Sequence, residues 1–252
     1  MKICVVQTKP VRGDIQRNIE NHKKLIALAI ANGADNIIFP ELSLTGYEPE
    51  LAKELATGIN DNRFDEFQQL SDTNAVIIGI GMPTIQNSGI CISMILFQPQ
   101  KPRQVYHKKY IHADEEPFFI SGHNENGLIG EKENIALAIC YELSVPAHAD
   151  DAFKKGAEFY IASAVKSKPM MEKTIDRLAE ISKKYSMTVF LSNCVGESGG
   201  YDCGGKSSIW NNKGELLAQL NETSEGILIL DTGSNEVRKC QFEERSAVNG
   251  EW

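Results

Sequence analysis

The chain has 252 residues, 42% of them apolar and 24% charged, a balance that suits one domain with a sizeable buried core. A net charge of −8, with no long Lys/Arg cluster, argues against a nucleic-acid or anionic-membrane surface. No apolar run approaches the ~20 residues that span a bilayer, and the apolar part of "MKICVVQTKP" is too short for a signal peptide, so a cytoplasmic protein is expected.

In chain order, "KICVVQ" reads as a strand and "DIQRNIENHKKLIALAIANG" as a helix, with Asp14 as its cap and Gly33 just past its end. The apolar positions Ile15, Ile19, Leu25, Ile26, Ala29 and Ile30 fall on one face of that helix. "NIIFP" is a buried strand followed by the loop "ELSLTGYEPE". "AVIIGIGMP", "ICISMILFQP" and "RQVYHKKYI" follow as strands joined by turn residues, then "NIALAIC". A short helix around "HADDAFKKGA", strand "EFYIAS" and helix "MEKTIDRLAEISKKYS" come next. Strands "TVFLSNC", "SSIWN", "ELLAQL" and "GILILD" complete the body. The pattern predicts one α/β or α+β layered domain over residues 1–252, with residues 234–252 as a C-terminal tail.

The six cysteines (Cys4, Cys91, Cys140, Cys194, Cys203, Cys240) form no C-x-x-C pair, which argues against a disulfide framework or a structural zinc site. Residues 200–207, "GYDCGGKS", fit the phosphate-loop pattern, but the helix that such a loop must open is not predicted after Lys206. A glycine-rich loop before a β-hairpin is the expectation there. "SAVK", residues 163–166, matches the S-x-x-K spacing of serine acyl-transfer enzymes, but Ser163 closes a strand where that chemistry needs a helix.

The run "NIALAICYELSVPAHA" ends its strand on a cysteine, and two other strands end on chemistry: Glu41 after "NIIFP" and Lys108 after "RQVYH". Side chains at the carboxyl ends of neighbouring strands converge on one crevice. A carboxylate, an ammonium and a thiol brought together are what thiol attack on a carbonyl requires. His148 is a base near Cys140 in sequence, but its polar surroundings predict a solvent-facing ring.

"FPELSLTGY", "YHKKYIHADEEPFFISG" and "LAICYELSVP" together resemble the three signature segments of the nitrilase superfamily, the carbon–nitrogen hydrolases. The resemblance implies a four-layer α-β-β-α sandwich acting on a small-molecule amide or carbamoyl-type substrate, with no metal or organic cofactor. It implies Cys140 as nucleophile, Glu41 as general base and Lys108 as the cation beside the oxyanion, with the backbone N–H of Tyr141 as a second oxyanion donor. Glu115 matches the family's second glutamate by its distance to the Phe-Phe pair, and Glu116 fits a neighbouring register. Tyr47, Glu142, Ser144 and Ala164 are placed around the substrate pocket. Association as a homodimer or larger homo-oligomer is also implied.

The segment after the cysteine departs from the family pattern. Glu142 stands for an aspartate, Ser144 for an arginine that can hold a substrate carboxylate, and Ala147 for a glutamate. These changes predict a preference for neutral or differently anchored amides. Nitrile hydrolysis or acyl transfer is the alternative on the same three residues, and a non-catalytic binding module the alternative had the triad been broken. It is intact.

Overall fold

The computed structural model describes residues 1–124, 128–130 and 134–242. Lys2–Gln7 form strand β1, buried from Ile3 onward on both faces, as expected of a strand covered on both sides. Helix α1, Ile15–Ala31, begins at Asp14, whose Oδ1 accepts the backbone N–H of Arg17 at 3.0 Å. Its stripe of Ile15, Ile19, Leu25, Ile26 and Ala29 packs on the sheet built around β1.

Four more strands follow: β2 (Asn36–Ile38), β3 (Ile77–Gln86), β4 (Gly89–Phe97) and β5 (Gln104–His107). Helices α2 (Ala52–Leu55) and α3 (Asp65–Asn74) lie between β2 and β3. Helix α3 was not expected from the sequence, because only Phe67 and Ser71 of its residues are buried and its apolar stripe is faint. The second half contains β6 (Leu128–Ile129), β7 (Ile135–Ile139), α4 (Pro146–Lys154), β8 (Phe159–Ala164), α5 (Met171–Tyr185) and β9 (Thr188–Asn193). Then come β10 (Val195–Ser198), β11 (Tyr201–Gly204), β12 (Ser208–Trp210), β13 (Leu216–Gln219), β14 (Gly226–Asp231) and β15 (Val237–Gln241).

The strands make two large sheets, in the orders β15-β14-β1-β2-β3-β4-β5 and β13-β12-β9-β8-β7-β6. Ile3, Val5, Ile38 and Met94 of the first meet Leu137, Ile139, Ile161 and Phe190 of the second in a shared core. Helices α1 and α3 cover the outer face of the first sheet, and α4 and α5 that of the second. The layers therefore run α-β-β-α.

Two buried serines link the sheets at one rim. Ser163 Oγ donates to the Phe39 carbonyl at 2.9 Å, and Ser192 Oγ lies 2.6 Å from the Val6 carbonyl oxygen. Parallel register sets Ile139 beside Ser163 and Ser163 beside Ser192, so β7, β8 and β9 end level with β2. That rim is the crevice which the sequence predicts.

The β-hairpin expected after residues 200–207 is present as β12 and β13, but residues 201–204 are themselves a strand and not a loop. Val195–Ser198 and Tyr201–Gly204 pair as a separate antiparallel hairpin, turned by Gly199 and Gly200 at φ 59° and 75°. After Lys206 the chain enters strand β12, where a phosphate loop would begin a helix. Lys206 instead pairs with Glu222 at 2.7 Å. Part of the expected C-terminal tail is ordered in a sheet: β15 pairs antiparallel with β14 and forms its edge. Residues 243–252 of that tail lie outside the described residues. Among the described residues no helix is long and apolar enough to cross a membrane.

Candidate active site

Glu41 follows β2 on a tight turn in which Leu42 has φ 48°. The turn lies directly on β3 at Gly81. A Cβ there would stand 2.3 Å from Leu42 N and 2.4 Å from Pro40 O, so only glycine admits this approach. Beneath it, buried His22 of α1 stacks on Phe39 at 4.1 Å and bonds Ser43 Oγ through Nε2 at 2.9 Å. Glu41 is thus held between two packed neighbours, with its carboxylate buried.

Lys108 comes immediately after β5. Its N–H donates to Ile92 O at 2.8 Å, and its carbonyl accepts from Gly122 N at 2.9 Å. The fully buried ammonium donates to Glu41 Oε1 at 2.9 Å and to Glu115 Oε1 at 2.6 Å. Of the two adjacent glutamates, Glu115 is buried against this ammonium and Glu116 is exposed. Its carboxylate also accepts from the Tyr47 hydroxyl at 3.0 Å and from His112 N at 2.9 Å. Lys109 is exposed, with its ammonium 5.1 Å from the Tyr110 ring centroid.

Cys140 follows β7 with φ 43°, a left-handed conformation that disfavours any residue with a Cβ. It opens a 3-10 turn, Cys140–Ser144, whose first N–H groups, Tyr141 among them, have no partner inside the turn. Its thiol lies 3.6 Å from Val165 O. Glu142 holds this strained corner from behind. Its carboxylate accepts from Ile139 N at 2.7 Å, Lys109 N at 2.7 Å and the Tyr106 hydroxyl at 2.8 Å. One carboxylate therefore joins the ends of β5 and β7. The expectation that Glu142 lines the pocket is corrected: it is fully buried, and its bonds face the protein.

His148 is also corrected. It bonds the hydroxyls of Tyr106 and Tyr160, each at 2.8 Å, instead of facing solvent. Sequence spacing could not show this, because Tyr106 comes from β5, far from α4 in the chain, and Tyr160 meets the ring only once β8 has packed beneath the helix.

The thiol opens on a cavity of about 700 Å³ whose wall includes Tyr47, Glu115, Tyr141 and Ser144. Ala164 is not on that wall; it packs under the helices beside Leu178, and the next two residues, Val165 and Lys166, reach the cavity. The sequence reading missed Lys166, Arg177 and Tyr201 as lining residues. A usable signal existed for Lys166: it lies just past the end of β8, the strand beside that of Cys140. Among the described residues no group of three or more His, Cys, Asp or Glu side chains could hold a metal ion.

Burial dominates the electrostatics. It raises the Glu41 carboxyl above its ordinary value; Lys108 opposes this shift and Glu115 adds to it. Burial would lower the Lys108 ammonium, but the charges of Glu41, Cys140 and Glu115 outweigh it and the net shift is upward. The Cys140 thiol is raised by burial and by Glu41, against the pull of Lys166 and Lys108. Tyr47 is raised by burial and by the two glutamates, which keeps its hydroxyl a donor. A proton on the thiol beside an ionisable carboxylate is the resting arrangement these shifts describe.

Residues 2–242 match the carbon-nitrogen hydrolase family model. The chain is 26% identical to a nitrilase of Pyrococcus abyssi, over 98% of this chain and 95% of the relative. It is 25% identical to the hydrolase in the agr operon of Staphylococcus aureus, over 95% and 94% of the two chains. A cysteine-to-alanine mutant of the amidase from Nesterenkonia sp. AN1, solved with butyramide, superposes with a TM-score of 0.83 at 18% identity, covering 93% of this chain and 92% of that one. Another mutant of that amidase carries the acetamide moiety of fluoroacetamide at its active-site cysteine, with a TM-score of 0.82 at 19% identity, covering 92% and 89% of the two chains.

Proposed function

The chain belongs to the carbon–nitrogen hydrolase family, and from this we propose that it hydrolyses a small amide through a thioester on Cys140. One observation carries the reading. Glu41 Oε1 is bound to Lys108, while Oε2 is buried with no hydrogen-bond partner among the described residues, in a site shared with the Cys140 thiol. That oxygen has an open place for one proton.

In this mechanism Glu41 takes the thiol proton and the sulfur adds to the amide carbonyl. Negative charge then gathers on the carbonyl oxygen, where the Lys108 ammonium and the Tyr141 N–H meet it. Glu41 returns its proton to the nitrogen, the carbon–nitrogen bond breaks, and ammonia or an amine leaves. Water, deprotonated by the same carboxylate, attacks the thioester, releases the acid and restores the thiol. Glu115 positions Lys108 and is itself positioned by Tyr47.

Nitriles are the second substrate class, favoured by the likeness to the Pyrococcus abyssi nitrilase. A screen of short amides, N-carbamoyl amino acids and nitriles for ammonia release decides between them. Mass spectrometry of the quenched enzyme should show acylation at Cys140. Release from nitriles alone would overturn the amide reading, and turnover without modification of Cys140 would overturn the mechanism.

The same reading carries a homodimer or larger assembly. Analytical ultracentrifugation reads the state directly.

A further inference from the structure

Lys166 is a buried cation that the proposed chemistry leaves unused. Only 9% of the residue is exposed, and it forms part of the cavity wall beside Cys140. Its backbone is clamped on both sides: the N–H donates to Asn193 Oδ1 at 2.8 Å, and the carbonyl accepts from Gly204 N at 2.7 Å. Asn193 is itself fully buried and bonds the Gly205 carbonyl at 2.7 Å. The side chain is therefore launched into the cavity from a fixed point.

Its ammonium has no hydrogen bond and no ion pair among the described residues, and it is not sealed away from the cavity. The other buried cation, Lys108, is held by two carboxylates. Arg177, further along the wall, donates to Leu143 O at 3.0 Å and pairs with Glu180 at 2.7 Å, which commits Nε and Nη1 and leaves only Nη2 buried without a partner among the described residues. Ser144 offers only a hydroxyl. An ammonium that faces a cavity with no counter-charge of its own among the described residues is open to an anion that arrives with a ligand.

We propose that Lys166 binds a free carboxylate of the substrate, which makes the substrate a short amide bearing an acid group away from the scissile bond. This rests on the amidase reading above. A lysine suits the task as a compact point charge reaching from a fixed backbone. Lys166 and Cys140 line the same cavity of about 700 Å³, which suits a substrate with a short acyl chain between the amide and the acid group.

Succinamate and butyramide differ at the end remote from the amide, carboxylate against methyl, and calorimetric titration of both into the full-length Cys140→Ala variant tests the proposal. Succinamate should bind more tightly. Adding Lys166→Met should weaken succinamate roughly 10- to 100-fold more than butyramide, the loss typical of one charge-assisted hydrogen bond. Lys166→Arg should restore part of the difference. Equal affinity for the two ligands in Cys140→Ala overturns the proposal, even if the Met variant fails to fold. Equal weakening of both ligands by Lys166→Met also overturns it and leaves Lys166 a part of the cavity wall with no carboxylate to bind. If succinamate binds through Lys166 while the wild-type protein releases no ammonia from any amide, the amidase reading falls and this inference stands.

Discussion

Lys108 Nζ and Glu41 Oε1 are 2.9 Å apart with both side chains fully out of solvent. A buried ion pair is poor value for stability, because desolvating both charges costs about as much as their attraction returns. The pair instead makes the carboxylate asymmetric. One oxygen is pinned by the ammonium, and the other, Oε2, is left unpartnered among the described residues. A base that accepts and returns one proton in a fixed direction needs that asymmetry.

Glu41→Gln keeps the shape of the side chain and removes the base. Turnover should fall by ~10²–10⁴. The stability effect has a definite sign. Burial raises the folded Glu41 carboxyl above its usual 4.5, so the folded state holds a proton that the unfolded state has lost. The stabilising contribution is complete below 4.5 and disappears as pH rises through the raised folded value. Urea denaturation should therefore show Glu41→Gln gaining on wild type between pH 4 and pH 8. A gain in the opposite direction would contradict a raised carboxyl.

Lys108 and Lys109 are adjacent and should behave oppositely. Lys108→Met removes the cation between Glu41 and Glu115, with an expected loss of ~10²–10³ in turnover from the oxyanion alone. It also leaves two carboxylates buried without their partner, so a stability loss of about 3–5 kcal/mol should accompany it. Lys109→Met changes an exposed side chain and should stay within about 0.5 kcal/mol of wild type. Assays on one amide, with unfolding curves for both proteins, make the comparison. Near-normal turnover in Lys108→Met would exclude it as the oxyanion cation.

The strand-end logic made the convergence of Glu41, Lys108 and Cys140 legible in the sequence, because each apolar run stops on a polar side chain at the same rim. Helix α1 was legible through its cap and stripe. What failed to show had its cause in contacts between separate elements of the fold. Glu142 reads as a pocket carboxylate beside Cys140, yet it is turned inward by N–H groups of both Ile139 and Lys109. His148 is buried by tyrosines from β5 and β8. Lys166 was hidden by the wrong pattern: S-x-x-K drew the eye to Ser163, whose hydroxyl serves only to bond the Phe39 carbonyl.

Gly81 tests the mount of Glu41. In Gly81→Ala the new Cβ would fall 2.3 Å from Leu42 N, against backbone that cannot swing aside. Overpacking of this kind typically costs about 1–3 kcal/mol, and here the displaced segment carries Glu41, so turnover should drop with it. Gly58→Ala is the control, since nothing lies within 4 Å of its added Cβ. Equal, near-zero effects in both variants would mean that the Glu41 turn does not depend on close approach to β3.

His22 gives an acid limit to the same mount. Burial lowers its pKa from 6.5 to about 3, against a hydrogen bond from its ring to the Asn18 carbonyl. Between those values the unfolded chain binds a proton that the folded one refuses, so stability falls as pH drops from 6.5 toward 3. The slope is up to about 1.4 kcal/mol per pH unit. His22→Leu should lose stability at pH 7, where Ser43 loses its partner, but should show a shallower decline between pH 6.5 and pH 5. Parallel declines in the two proteins would show that His22 is not the group resisting protonation.

Cys140 carries both the proposed chemistry and the backbone strain, and two substitutions separate them. Cys140→Ala removes the sulfur and should abolish turnover, at a stability cost of about 1–2 kcal/mol for a small truncation. Cys140→Gly removes the sulfur too, but it also relieves the left-handed conformation at φ 43°. A Cβ in that region costs about 1–2 kcal/mol, partly offset by the greater freedom of glycine in the unfolded chain. The glycine variant should therefore be inactive yet at least as stable as the alanine variant, by urea denaturation at the same pH. Residual turnover in either would end the thioester mechanism. A glycine variant clearly less stable than the alanine one would mean that residue 140 is not strained, and that the turn is held by Glu142 at no cost to the backbone of its nucleophile.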